Sequence, residues 1–190
     1  MQNSVSVPRS RSALVSMFGR MGFSVGAEIG VCAGKFSRDI LSLMPNVTLY
    51  SVDRWLLSSG EFARQLYEEA VGNLREFGCR SKIVIGSSPA VSSEFADGSL
   101  DFAYIDADHL YESAAKDLEA WWPKIRSGGI LSGHDYKNGG NAGTRRLSVS
   151  GERTENSAGV KRAVDEFAAR MSLQVHLTKD RPRSFWAVKP

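Results

Sequence analysis

Long apolar runs are missing from this sequence: among its 190 residues no stretch of Ala, Val, Ile, Leu, Met, Phe, Trp, Tyr or Cys exceeds four. That excludes a transmembrane helix, which needs about 20 such residues in succession. Cysteine is scarce too. Cys32 and Cys79 lie 47 residues apart, giving neither a zinc-type spacing nor a disulfide framework. The opening residues carry no apolar segment of signal-peptide length, so the expected location is the cytoplasm, with no membrane partner. No continuous basic run interleaved with aromatics occurs, which argues against a nucleic-acid partner. Charge is nevertheless uneven, with a net −3 over residues 1–136 and +6 over residues 137–190. A basic third can face an anionic partner, or it can simply be a solvated surface.

What is present is an ordinary globular composition, with 42% hydrophobic and 24% charged residues, on a chain of single-domain length. Such a chain buries enough surface to need no staple. Residues 1–24 read as an N-terminal helical cap, whose helix over Arg11–Met21 places Leu14, Val15, Phe18 and Met21 at helical spacing. Strands are expected at Val25–Val31, Val47–Val52, Ser81–Ile85 and Leu100–Ile105, with a fifth starting at Ile130. Helices are expected at Lys35–Leu43, Glu61–Phe77, Pro89–Phe95, Glu112–Ile125 and Val160–Met171. Two final strands, Leu173–Leu177 and Ser184–Val188, follow one another without a helix between them. The alternation predicts an α/β, doubly wound, mostly parallel sheet with one antiparallel strand at its end. Residues 137–159 hold five glycines and no periodicity, the pattern of a lid loop.

Doubly wound sheets bind ligands at the carboxyl ends of their strands, so those ends are where chemistry is expected. The first strand ends in Glu28-Ile-Gly30-Val31-Cys-Ala-Gly34, two glycines four apart leading into a helix. The run is not the dinucleotide G-x-G-x-x-G, since Cys32 takes the middle position, and no G-K-[ST] follows to make a P-loop. The second strand leads to Asp53, 23 residues after Gly30, where a carboxylate accepts hydrogen bonds from ribose hydroxyls. Trp55 lies two residues on, placed either against an adenine or in packing, and Gly86-Ser87-Ser88 follows the third strand. The fourth strand ends in Asp106-Ala-Asp108-His109 and the fifth in Gly133-His134-Asp135-Tyr136. Acidic and imidazole groups therefore gather at one rim, where helix capping and catalysis are both open to each residue taken singly.

These segments, with G-V-K-R-A-V-D-E-F at 159–167, resemble class I S-adenosylmethionine-dependent methyltransferases across residues 25–188. The nearest likeness is to a small-molecule O-methyltransferase-like subgroup with I-D-x-D-H-x-Y-E and G-H-D-Y motifs. The resemblance implies one Rossmann-like domain with a seven-stranded sheet and a reversed last strand. It implies that Glu28, Gly30, Val31 and Gly34 frame the methionine part of the cofactor S-adenosylmethionine. Asp53, beside Arg54, holds the ribose, and Trp55 and Ser87 flank the adenine. Cys32 departs from the glycine that many relatives carry. Relatives of the metal-dependent kind suggest a divalent ion on Asp106, His134 and Asp135. Imidazole suits manganese, iron or zinc better than magnesium, and the other reading of His134 and Asp135 is hydrogen bonding to each other or to substrate. The catalytic candidates are Asp106, His109 and His134. Asp106 or His109 is expected to take the acceptor's proton, a histidine having its ordinary pKa in the useful range.

The expected partner is a small-molecule acceptor, with a second subunit of a homodimer helping to cover its pocket. Arg145, Arg146 and Arg153 in the loop hint at an acidic or phosphorylated acceptor. Methyl transfer to nitrogen or to a macromolecule is one alternative, although no Asn/Asp-Pro-Pro-Tyr-type motif follows the fourth strand. A non-catalytic cofactor-binding protein of the same fold is the other.

Overall fold

Each predicted helix and strand has a counterpart in the computed structural model, which describes residues 7–57, 60–137, 146–147, 153–154 and 159–190. The order is α1 Arg11–Arg20, β1 Val25–Ile29, α2 Lys35–Leu43, β2 Thr48–Asp53, α3 Glu61–Leu74, β3 Ser81–Ile85, α4 Ser88–Ser92 and β4 Leu100–Ile105. There follow α5 Tyr111–Trp121, β5 Ile125–Tyr136, β6 Arg146–Leu147, β7 Arg153–Thr154, α6 Gly159–Met171, β8 His176–Leu177 and β9 Arg183–Val188. Short 3-10 turns occupy Trp55–Leu57 and Arg75–Arg80.

Seven strands form one sheet in the order β3-β2-β1-β4-β5-β9-β8. The first five are parallel, and β9 is antiparallel to both β5 and β8. The strand order reverses between β1 and β4, which is where such sheets open a crevice. The central strands read Gly-Ala-Glu-Ile and Phe-Ala-Tyr-Ile because helices cover both faces, leaving no solvated side to require polar alternation. Side chains of β4 still alternate by face. Phe102 and Tyr104 pack with Leu14, Phe18, Phe36 and Ile40 of α1 and α2, whereas Ala103 and Ile105 pack with Leu118, Trp121 and Phe167 of α5 and α6.

Several boundaries differ from the sequence reading. The helix expected to reach Ile125 stops at Trp121, and Ile125 already pairs with Leu100 in β5. Pro123 removes a helical donor there, and Ser127-Gly128-Gly129 forms an irregularity inside a long strand instead of a stop. Strand β1 ends at Ile29, two residues early, because the chain already turns at Gly30 and Cys32, both with positive φ. Of Leu173–Leu177 only His176 and Leu177 join the ladder; Leu173 and Val175 pack against the core without pairing.

The expected lid at 137–159 lies mostly outside the described residues, which show in its interior only the antiparallel pair β6–β7. Arg145 lies outside them as well. No helix among the described residues is long and apolar enough to cross a membrane. Both cysteines are free and exposed.

Candidate active site

The turn after β1 makes the first wall. Gly30 has φ +90°, and a Cβ placed on it would stand 2.3 Å from the carbonyl oxygen of Asp106. Only glycine lets the ends of β1 and β4 approach this closely. Gly34, at φ +74°, opens α2 with no side-chain cap, so the first-turn amides of that helix keep their donors free of a capping side chain. Cys32 also takes a left-handed conformation, at φ 54°.

Asp53, at the end of β2, organises this turn. Its Oδ2 accepts the Cys32 amide at 2.8 Å and its Oδ1 accepts the Trp55 amide at 3.2 Å. Each carboxylate oxygen retains a second acceptor site, and Asp53 is half-buried at the strand end. Arg54 is exposed beside it. Ser87 is exposed at the start of α4, after Gly86, whose amide bonds the Asp53 carbonyl at 2.9 Å.

Two of the expected cofactor residues stand elsewhere than their roles required. Trp55 is not an open platform for adenine. It is 2% exposed, packs with Val31, Ala70 and Tyr67, and donates its indole N–H to the Cys32 carbonyl at 2.7 Å. The packing alternative is the one realised, and Val31 is buried with it. Glu28 is sealed below the glycine turn, 1% exposed, accepting the Ser37 hydroxyl, which in turn meets Ser51 at 2.9 Å. Burial pushes its carboxyl up to about 8, so it is mainly neutral at pH 7.

The second wall is the rim where β4 and β5 end. Asp106, His134 and Asp135 present ligand-type atoms all within 4.8 Å of one another, the same three residues read as a metal set from sequence. His109 reaches back from the loop before α5, its Nε2 lying 2.8 Å from Asp135 Oδ2 and 3.8 Å from Asp106 Oδ1. His134 Nδ1 is 3.9 Å from each of the two carboxylates. Asp135 adopts φ 55°, which turns it toward these partners.

The electrostatics corrects the expected role of His109. Asp106 and Asp135 raise its pKa to about 9, so at neutral pH it is an imidazolium and not a ready base. Asp135 is held far below the usual carboxylate range by His109, His134 and Lys137.

Two further residues at this rim escaped the sequence reading. Lys137 Nζ bonds Asp135 Oδ1 at 2.9 Å, and its adjacency to the His134-Asp135 pair was the available signal. Arg11 crosses from α1 to within 3.9 Å of Asp106 Oδ2, its guanidinium 4.4 Å over the Phe36 ring. Nothing local in the sequence announces that contact.

Strand order, the glycine turn at the β1/β4 switch and the carboxylate after β2 define the α/β fold of class I S-adenosylmethionine-dependent methyltransferases. A family model described as a methyltransferase domain matches residues 27–136, and the chain belongs to that family. No curated protein sequence matches the chain.

Solved structures share the fold at low identity. A Staphylococcus aureus protein assigned as a caffeoyl-CoA O-methyltransferase aligns with TM-score 0.71 and 16% identity, over 94% of this chain and 82% of that one. The S-adenosylhomocysteine-bound methyltransferase PaMTH1 of Podospora anserina aligns with TM-score 0.65 and 13% identity, over 95% and 78%. The precorrin-6y C5,15-methyltransferase of Geobacter metallireducens aligns with TM-score 0.62 and 16% identity, over 94% and 87%.

Proposed function

We propose that this protein transfers a methyl group from S-adenosylmethionine to an oxygen of a small-molecule acceptor. The observation that carries the proposal is the gathering of Asp106, His109, His134 and Asp135 at the ends of β4 and β5, next to the β1 turn. Gly30, Gly34 and Asp53 supply the cofactor side of the crevice, and several structural neighbours are named as O-methyltransferases. S-adenosylmethionine supplies an electrophilic methyl on a sulfonium sulfur, so the protein's main task is to hold the acceptor oxygen in line with it.

The residues divide that task. Asp53 holds the ribose hydroxyls, and the glycine turn leaves room for the methionine portion. Asp106 takes the proton that the acceptor hydroxyl gives up as its oxygen gains the methyl, while the methyl–sulfur bond breaks and its electron pair stays on sulfur, leaving S-adenosylhomocysteine. His109, charged at neutral pH, fixes Asp106 and Asp135 and places positive charge beside the oxygen as it loses its proton.

The rim also fits a divalent ion. Two carboxylates and one imidazole within 4.8 Å make a donor set suited to manganese, iron or zinc rather than magnesium. Bound by Asp106, His134 and Asp135, such an ion would orient the acceptor hydroxyl and lower its pKa.

Calorimetric titration with S-adenosylmethionine, with and without Mn²⁺, tests this reading. Expected are micromolar cofactor binding and a separate Mn²⁺ binding that is lost in Asp106→Asn/Asp135→Asn. Asp106→Ala and His109→Ala should abolish turnover of a hydroxylated acceptor while cofactor affinity stays. Absence of S-adenosylmethionine binding would sink the proposal.

A further inference from the structure

A second cavity opens beside the rim, at the end of the sheet formed by β5, β9 and β8. It is about 820 Å³ in volume, within the range of small-molecule sites. Among the described residues, Lys137, Lys161, Arg181 and Arg183 line it around Tyr136 and Leu177. The topology explains why cations from distant parts of the chain meet there. The C-terminal ends of β5 and β8 and the N-terminal end of β9 lie at one edge, and Tyr136 is in register with Arg183. Lys161, on the first turn of α6, follows Val160, which lines a small pocket together with Asp106 and His134. Lys137 ties the cavity to the rim directly through Asp135.

Among the described residues the charges lining this cavity do not cancel. Lys137 is paired with Asp135 and Lys161 with Asp165, which also accepts the Tyr136 hydroxyl at 2.5 Å. Arg181 and Arg183 meet no carboxylate among the described residues, and both are exposed. The neighbouring Asp180 is turned away, taking the Thr178 hydroxyl on one oxygen and the Arg11 amide on the other. Among the described residues, two guanidinium groups therefore keep their donors free of a carboxylate partner. Their planar forks match phosphate oxygens in pairs, and two unpaired positive charges match a dianion. Tyr136 and Leu177 give the same cavity an aromatic and an apolar wall.

We infer that this cavity is the acceptor's anchoring subsite and that the acceptor carries a phosphate or pyrophosphate group. The inference rests on the methyltransferase reading, and it names the chemical class of the acceptor. The phosphate is gripped by Arg181 in the β8–β9 turn and Arg183 at the start of β9, which leaves the hydroxyl end of the same molecule at Asp106. Lys137, between the two, is shared.

Calorimetric titration of the full chain with inorganic pyrophosphate, at low and at moderate salt, is the test. Wild type should bind pyrophosphate, more weakly as salt rises. Arg181→Gln/Arg183→Gln should bind it about tenfold or more weakly while S-adenosylmethionine affinity is unchanged. Should the double variant also lose S-adenosylmethionine binding, the single variants Arg181→Gln and Arg183→Gln take its place, each expected to weaken pyrophosphate alone. Equal pyrophosphate affinity in wild type and variants, or no binding up to about 10 mM, overturns the inference. So does tighter binding of malonate, of single-stranded DNA or of vesicles rich in anionic lipid. Failure of wild type to bind S-adenosylmethionine would count against the methyltransferase reading instead, and would leave the pyrophosphate titration readable.

Discussion

His109 Nε2 lies 2.8 Å from Asp135 Oδ2, joining the loop before α5 to the end of β5 across the mouth of the crevice. With Asp106 on its other side, the imidazole is held charged to about pH 9. The sign follows from linkage. A raised histidine pKa contributes stability that is complete below about 6.5 and is lost as pH rises through about 9. Asp106→Asn and Asp135→Asn should each bring the His109 midpoint down toward its ordinary value. Histidine ring resonances followed by NMR against pH will show it. A midpoint unmoved in both variants would mean that neither carboxylate holds the ring.

Gly30 permits the contact that opens the crevice, so Gly30→Ala should be costly. The substitution combines a φ of +90° with a Cβ 2.3 Å from the Asp106 carbonyl oxygen, a backbone atom that cannot step aside cheaply. A loss of about 2 to 4 kcal/mol is expected from strain and overpacking together. Urea unfolding measures it, and a variant as stable as wild type would show that β1 and β4 do not approach as described.

Glu28 predicts a pH dependence of the same sign in a lower window. Its carboxyl is raised from 4.5 to about 8 by burial, so between these values the folded protein keeps a proton that the unfolded chain has released. Stability from this group therefore falls as pH rises from about 4.5 to about 8, by at most roughly 4 to 5 kcal/mol. Glu28→Gln keeps the shape without the titration and should flatten that slope. Thermal melts of the two proteins across this range decide the matter.

Asp53 has two tasks that one substitution separates. Asp53→Ala strips the Cys32 and Trp55 amides of their acceptor, with an expected stability loss of about 1 to 3 kcal/mol. Asp53→Asn keeps an acceptor oxygen but loses the charge, so it should retain most of the stability. Both variants should weaken S-adenosylmethionine binding by about tenfold or more, read by calorimetry. Full cofactor affinity in the alanine variant would remove Asp53 from the cofactor site.

Much of this was legible because it is local. Periodicity placed α2, β3 and β4 at their observed bounds, and the motif ends placed Asp106, His134 and Asp135 together before any distance was known. Trp55 was not decidable in this way. A tryptophan two residues past a strand can face a ligand or the core, and only the proximity of Val31, Ala70 and the Cys32 carbonyl resolves it. Arg11 and Arg183 were equally hidden, since Arg11 meets Asp106 and Arg183 meets Tyr136 from distant parts of the chain.

The sequence by itself determined which segments become strands and helices, and which chemical groups stand at the strand ends. Those properties depend on side-chain spacing and turn residues within a few positions. Only the tertiary structure decided that Glu28 is sealed and neutral, that His109 is charged, and that four cations from just after β5, from α6, from the β8–β9 turn and from the start of β9 share one cavity. Desolvation and charge–charge distances act through space, and the reversal of strand order between β1 and β4 sets which distant residues they act upon.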